Sequence, residues 1–180
     1  MNNRVPIEFF KKDALEIAPQ LLEMKIVRRF DDNKILSLDI CDVEIYRGDE
    51  NSASHSNLGR SWRYNIMYHE GGKFYVYAIF GTCWLLNITA GKKGIPQLVL
   101  IRGTKQVEGP CRVGKVLNID KTFYGEEIAT SQRLWFEYGE KLTSNIIELP
   151  CMAIDYAGEY WGSVSRRLKI ENEDEYDFED

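Results

Sequence analysis

The stretch KFYVYAIFGTCWLLNIT, residues 73–89, limits the possible folds more than any other part of the chain. Its two halves, KFYVYAIF and CWLLNIT, are dense in the aromatic and β-branched residues that suit a pleated, half-buried surface, and Gly81 separates them. Alternation puts Tyr75, Tyr77 and Ile79 on one face of the first strand and Phe74, Val76, Ala78 and Phe80 on the other. A strand of this kind is usually core. Yet a core alone rarely needs Phe74, Tyr75, Tyr77, Phe80 and Trp84 so close together, and aromatic platforms are also what base stacking and duplex wedging require.

The strand signal recurs along the chain. KIVRRF and KILSLDICDVEIY alternate as two strands of a hairpin turning at DDNK, QLVLIRG reads as another strand, and RLWFEYG, NIIELPCMAI and RRLKI as three more. Helical spacing is confined to two places. DALEIAPQLLEMKI carries Leu15, Ile17, Ala18, Leu21 and Leu22 at helix intervals behind Asp13 as N-cap, with Pro19 the discordant residue. GPCRVGKVLNI reads as a short helix opened by Gly-Pro. No repeat or linker interrupts the first 170 residues. The pattern predicts one α+β domain over residues 1–170, a mostly antiparallel curved sheet or partial barrel with a few peripheral helices.

A chain of 180 residues can bury about 70% of the surface it exposes when unfolded. Its net charge of −5 speaks against a polyanionic partner, but the charge is uneven. The tail ENEDEYDFED (171–180) holds seven acids and no base, leaving the first 170 residues at +2. Residues 91–116 carry Lys92, Lys93, Arg102, Lys105, Arg112 and Lys115 against Glu108 alone. Such runs are commonly a solvated face and a disordered tail; equally, they form a basic groove for phosphates, because local charge sets the attraction. The tail is expected to be disordered and to compete with nucleic acid for that groove.

No apolar run approaches the ~18 residues of a membrane span, and the first residues lack a signal-peptide core. The expected location is cytoplasmic, nucleoid-associated in a bacterium or nuclear in a eukaryote, with no membrane partner. Cys41, Cys83, Cys111 and Cys151 form no C-x-x-C pair. They are read as four reduced cysteines serving as small apolar residues.

Candidate chemistry begins at DVEIYRGDENSASHSNLGR, residues 42–60. Glu44 and Tyr46 leave the same strand face near its end, as a half-exposed edge or as a carboxylate working beneath a stacked flat ligand. Asp42 is read as facing away from Glu44, which disfavours a paired-carboxylate site. His69 beside Glu70 is read as a loop residue, and Asp155 as a turn cap.

VEIYRGDENSASHS, GRSWRYNIMY, FYVYAIFGTCWLLNI, VLIRG with EGP, and DYAGE together resemble the 3-methyladenine (alkyladenine) DNA glycosylase family, in family order and from about Leu15 to Ile170. The resemblance implies an enzyme that flips a damaged purine from duplex DNA and hydrolyses its N-glycosidic bond, leaving an abasic site. It puts the general base at Glu44 and, at Arg102, the arginine that helps hold the attacking water. Tyr46, His55 and Tyr77 match residues that enclose the flipped base. Asn87 matches the side chain that crowds the exocyclic amine of normal guanine. Phe80 stands where the family has a tyrosine wedge. Arg60, Arg63, Lys105 and Arg112 are the residues assigned to the DNA backbone. The resemblance implies no cofactor, no metal, double-stranded DNA with damaged purines as partner, and a monomer.

Departures fall mostly on DNA-holding segments. The family's G-R-T-P-R-N reads GRSWRYN, with Ser61, Trp62 and Tyr64 substituted; G-P-G-K-L reads GPCRV, with Cys111 and Arg112; and Glu23 replaces the glycine of L-L-G. The acidic tail replaces a final segment rich in proline and aromatics. These changes motivate a second reading, a non-catalytic relative that binds nucleic acid or protein.

Overall fold

The computed structural model describes residues 3–48, 65–141, 144–150 and 164–171. Among the described residues eight strands form a mostly antiparallel, unclosed sheet. In chain order these are β1 (Met24–Arg29), β2 (Ile35–Arg47), β3 (Phe74–Ile79), β4 (Cys83–Thr89), β5 (Gln97–Thr104), β6 (Leu134–Tyr138), β7 (Ile146–Leu149) and β8 (Val164–Ile170). Among the described residues three helices accompany them: α1 (Ile7–Phe10), α2 (Ala14–Leu21) and α3 (Pro110–Val116). The α+β expectation holds. The sequence pattern missed α1 and two single-turn 3-10 helices, Ile66–Tyr68 and Lys121–Phe123, which are too short for a periodic signal.

The sheet runs β3-β4-β5-β2-β1-β6, with β8 also paired to β2 and β7 to β8. The expected hairpin forms at DDNK, where Asn33 takes φ 63° in the turn between β1 and β2. Strand β2 is long enough to serve two partners on one side. Its first half pairs with β1 and its second half with β8, while β5 runs along the other side. Glu44 therefore sits within a central strand, not on the edge strand that its polarity suggested.

Two apolar clusters occupy the structure. The larger gathers Ile17 and Leu21 of α2, Ile26, Val43, Ile45, Phe74, Phe136 and Val113 of α3. The smaller gathers Tyr46, Ile66, Met67, Tyr75, Leu85, Leu98 and Leu100. Helix α2 starts as expected, with the Asp13 carboxylate accepting from the Leu15 N–H at 3.0 Å. Its other oxygen takes the Arg47 guanidinium at 2.9 Å and the Gln97 amide at 3.3 Å, while Gln97 Oε1 accepts from the Ala14 N–H at 2.6 Å. This knot ties the start of α2 to the end of β2 and the start of β5, three residues beyond Glu44. Pro19 lies inside α2.

Helix α3 begins on Pro110 at its first turn, as the Gly-Pro pair predicts. Gly114 lets it lie against β4: a Cβ there would overlap the carbonyl oxygen of Trp84. Beside that approach the structure corrects the cysteine reading. Cys83 at the start of β4 and Cys111 in the first turn of α3 form a disulfide, with Cα atoms 5.0 Å apart. Their 28-residue separation carries no pairing signal in sequence; packing of α3 on β4 creates it. Cys41 is a free thiol, and Cys151 lies outside the described residues.

Candidate active site

Glu44 reaches its position through an irregularity in β2. Before it, Leu38 and Ile40 point into the larger cluster; after it, Val43 and Ile45 do. The pairing with β5 shifts register between Ile40 and Val43, so the inward phase moves from even to odd residues. Glu44 and Tyr46 are thereby turned to the opposite face. Strand β8 alternates to match, sending Leu168 and Ile170 toward the larger cluster and Arg167, the register partner of Glu44, toward Asp42.

The expected sharing of a face by Glu44 and Tyr46 is direct. The Tyr46 hydroxyl donates to Glu44 Oε2 at 2.6 Å, and Arg102 Nη1 donates to Glu44 Oε1 at 3.0 Å. One oxygen is fixed by a phenol and the other by a guanidinium, which sets the plane of the carboxylate. Glu44 is fully buried, with 0% of its side chain exposed, rather than standing in an open groove. A carboxylate is kept in such a place by charge and hydrogen bonds, since an unpaired one would cost several kcal/mol.

Asp42 corrects the expectation that it faces away. Residues two apart on a strand share a face, and Asp42 joins the same cluster: Arg102 Nε lies 3.8 Å from its Oδ2. Arg167 grips Asp42 with both ends of its fork, Nε to Oδ1 at 3.0 Å and Nη2 to Oδ2 at 2.6 Å. The i, i+2 spacing was the available signal for Asp42. Arg167 had none, because 125 residues separate it from its partner.

Beside the charged cluster the sheet presents a wall of mixed polarity. A single row across neighbouring strands reads Arg167, Glu44, Leu100, Asn87 and Tyr75. Tyr75 and Tyr77 lie with ring centroids 5.5 Å apart, and Tyr124 meets Tyr75 edge-on at 6.0 Å. Burial pushes the Tyr124 hydroxyl above its ordinary titration range. Asn87 is 1% exposed, and its side-chain amide nitrogen has no hydrogen-bond partner among the described residues. A buried orphan donor costs about 1–3 kcal/mol, and a ligand acceptor would recover much of that.

Phe80 is not part of β3. It occupies the turn to β4 with φ 51°, followed by Gly81 at φ 72°, and 78% of it is exposed. Left-handed backbone is unfavourable for a bulky residue, so the turn holds Phe80 at a conformational cost. Cys83 connects this turn to α3, where Arg112 is exposed; Thr82, Cys83, Trp84, Cys111, Arg112 and Lys115 line one cleft. Lys105 lies elsewhere, in a shallow groove with Glu23, Lys25, Asp39 and Glu140.

His55, Arg60 and Arg63 lie outside the described residues, as do the Ser61, Trp62 and Tyr64 departures and Asp155. Among the described residues no three His, Cys, Asp or Glu side chains gather as a metal site requires. No described helix is long and apolar enough to cross a membrane.

Comparison with known proteins gives the family. Residues 8–109 match the family described as methylpurine-DNA glycosylase (MPG). A protein of Psychrobacter cryohalolentis is 32% identical over 84% of each chain, and one of Borreliella afzelii is 36% identical over 84% of this chain and 87% of its own. A Bacillus subtilis protein is 34% identical over 87% of this chain and 88% of its own. All three carry the name "Putative 3-methyladenine DNA glycosylase". With half the chain matched by the family and relatives above 30% identity spanning most of it, the chain belongs to the methylpurine-DNA glycosylase family.

Proposed function

We propose that the protein is a monofunctional glycosylase that flips alkylated purines of the 3-methyladenine type out of duplex DNA and hydrolyses the N-glycosidic bond. Glu44 is the general base. It takes a proton from water as the water oxygen bonds to the sugar C1′, and the glycosidic electron pair leaves with the purine. An N-alkylated purine carries positive charge, so it departs neutral and needs less help than a normal base. Arg102 holds the same water and offsets charge on Glu44.

The observation that carries this reading is the Glu44 carboxylate, buried and clamped at 3.0 Å by Arg102 and 2.6 Å by Tyr46. Beside it, Tyr77, backed by Tyr75, offers stacking surface, and Asn87 a buried amide that excludes the exocyclic amine of guanine. His55 closes the pocket. Phe80 enters the stack where the base has left, which intercalation allows because it needs the ring and not a hydroxyl. Arg60, Arg63, Lys105 and Arg112 meet the phosphates.

Incubation with methylated duplex DNA and detection of free 3-methyladenine tests the reading. Wild-type protein releases the base; Glu44→Gln binds lesion-containing duplex and releases none. Release by Glu44→Gln at the wild-type rate would remove Glu44 from the role of base. Duplex binding without release by the wild-type protein would establish the non-catalytic relative instead.

A further inference from the structure

We propose that Asp42 and Arg167 are positioning residues for the reaction, acting on Glu44 through Arg102. The proposal rests on Glu44 as the general base and extends that site by two residues which the sequence pattern did not place in it.

The arrangement is a chain of contacts across three adjacent strands. Arg167 of β8 holds Asp42 of β2 in a bidentate pair at 3.0 and 2.6 Å. Asp42 faces the Nε edge of Arg102 of β5 at 3.8 Å, and the Nη1 end of Arg102 reaches Glu44 at 3.0 Å. Side-chain exposure is 13% for Arg167, 5% for Asp42, 12% for Arg102 and 0% for Glu44. Water screens these charges little, so their geometry is consequential.

Three physical points give Asp42 and Arg167 their role. An arginine has a long, rotatable stem, and a counter-charge on a second edge of its fork restricts its rotation. Asp42 supplies a second anchor on a different edge, so the guanidinium is held between two carboxylates. Arg167 is the register partner of Glu44, and its bidentate bond to Asp42 directs the fork along the strand to that residue. Removing the Asp42 charge would leave two guanidiniums, Arg102 and Arg167, beside the Glu44 carboxylate. With the Asp42 charge gone, the Nε edge of Arg102 loses its counter-charge, and the guanidinium turns out of the orientation in which it meets Glu44 and the water. The register shift at Ile40–Val43 is what brings Asp42 into this cluster, and Gly103 opposite leaves space for it: a Cβ there would lie 3.1 Å from that of Asp42.

The test measures single-turnover base release and lesion-duplex affinity separately. Asp42→Asn, which keeps the shape and removes the charge, slows release about tenfold to a hundredfold while the duplex Kd changes less than twofold. Arg167→Lys, which keeps the charge and loses the fork, slows it by less. The decisive comparison is made in an Arg102→Gln background. If Asp42 works through Arg102, adding Asp42→Asn there slows release less than twofold further. A full second loss in that background, or wild-type release by Asp42→Asn, would overturn the proposal. Glu44→Gln measured alongside keeps the two readings apart. An inactive Glu44→Gln with a fully active Asp42→Asn rejects only the positioning role, whereas an active Glu44→Gln rejects the base assignment itself.

Discussion

The Tyr46 hydroxyl donates a 2.6 Å hydrogen bond to Glu44, its neighbour two residues back on the same strand face. A tyrosine expected to enclose the base also orients the carboxylate proposed as general base. Tyr46→Phe keeps the ring and removes the bond. Single-turnover base release should fall about tenfold with duplex affinity unchanged, and the fold should lose about 1.5–3 kcal/mol, the ordinary worth of a hydrogen bond to a charged group. Unchanged release would limit Tyr46 to lining the pocket.

The Cys83–Cys111 bond ties the turn bearing Phe80 to the start of α3 across 28 residues. In the chain-entropy account a loop of that size contributes about 3–4 kcal/mol. Thermal melts should shift down on adding reductant in the wild type and should not respond to reductant in Cys83→Ala. A wild-type melting temperature indifferent to reductant would mean that the bond contributes no stability. The same comparison in a duplex-binding assay should show weaker binding when reduced, because Phe80 and Arg112 then lose their common tether.

Phe80 holds φ 51° with its ring exposed. Glycine adopts that backbone without penalty, so Phe80→Gly should relieve up to about 1 kcal/mol of backbone strain. Binding to lesion-containing duplex should weaken in the same variant. Stability traded in this direction marks a residue kept for function. A large loss of stability would show instead that the ring packs against its own fold.

Cys41 is the free thiol beside Asp42. Burial, and after it the Asp42 charge, pushes its pKa up from 9.0 to about 11. The folded state therefore binds this proton more tightly than the unfolded chain. The stability it contributes is complete below about pH 9 and is lost as pH rises toward 11. Denaturant midpoints measured from pH 8 to 11 should fall over that interval, and less so in Cys41→Ala. Peptide mapping after alkylation at pH 8 should find Cys41 slow to react; rapid labelling would contradict the burial.

Most of the strands were legible because their alternation is local. The β1–β2 hairpin, the pair around Gly81, the Asp13 cap and the Pro110 start all follow from residues within a few positions of one another. Glu44 with Tyr46 was legible for the same reason, as two side chains on one strand face. The reading failed wherever a partner lay far along the chain. Asp42 was misplaced although its i, i+2 spacing from Glu44 was in view, and Arg167 was missed altogether. Cysteine spacing implied four reduced thiols, and the packing of α3 on β4, with Gly114 under Trp84, joined two of them.

The sequence alone determined which segments become strands, which residues cap and start the helices, and, through its motifs, the family. Those properties come from short-range sterics and periodicity, which each segment carries by itself. Only the tertiary structure decided that β2 lies between β5 and β8, so that a strand which looked like a polar edge became central. It alone decided that a register shift turns Glu44 away from the larger core and gathers Asp42, Arg102 and Arg167 around it. Such a cluster needs opposite charges brought together out of water, and that arises only when strands distant in sequence pair.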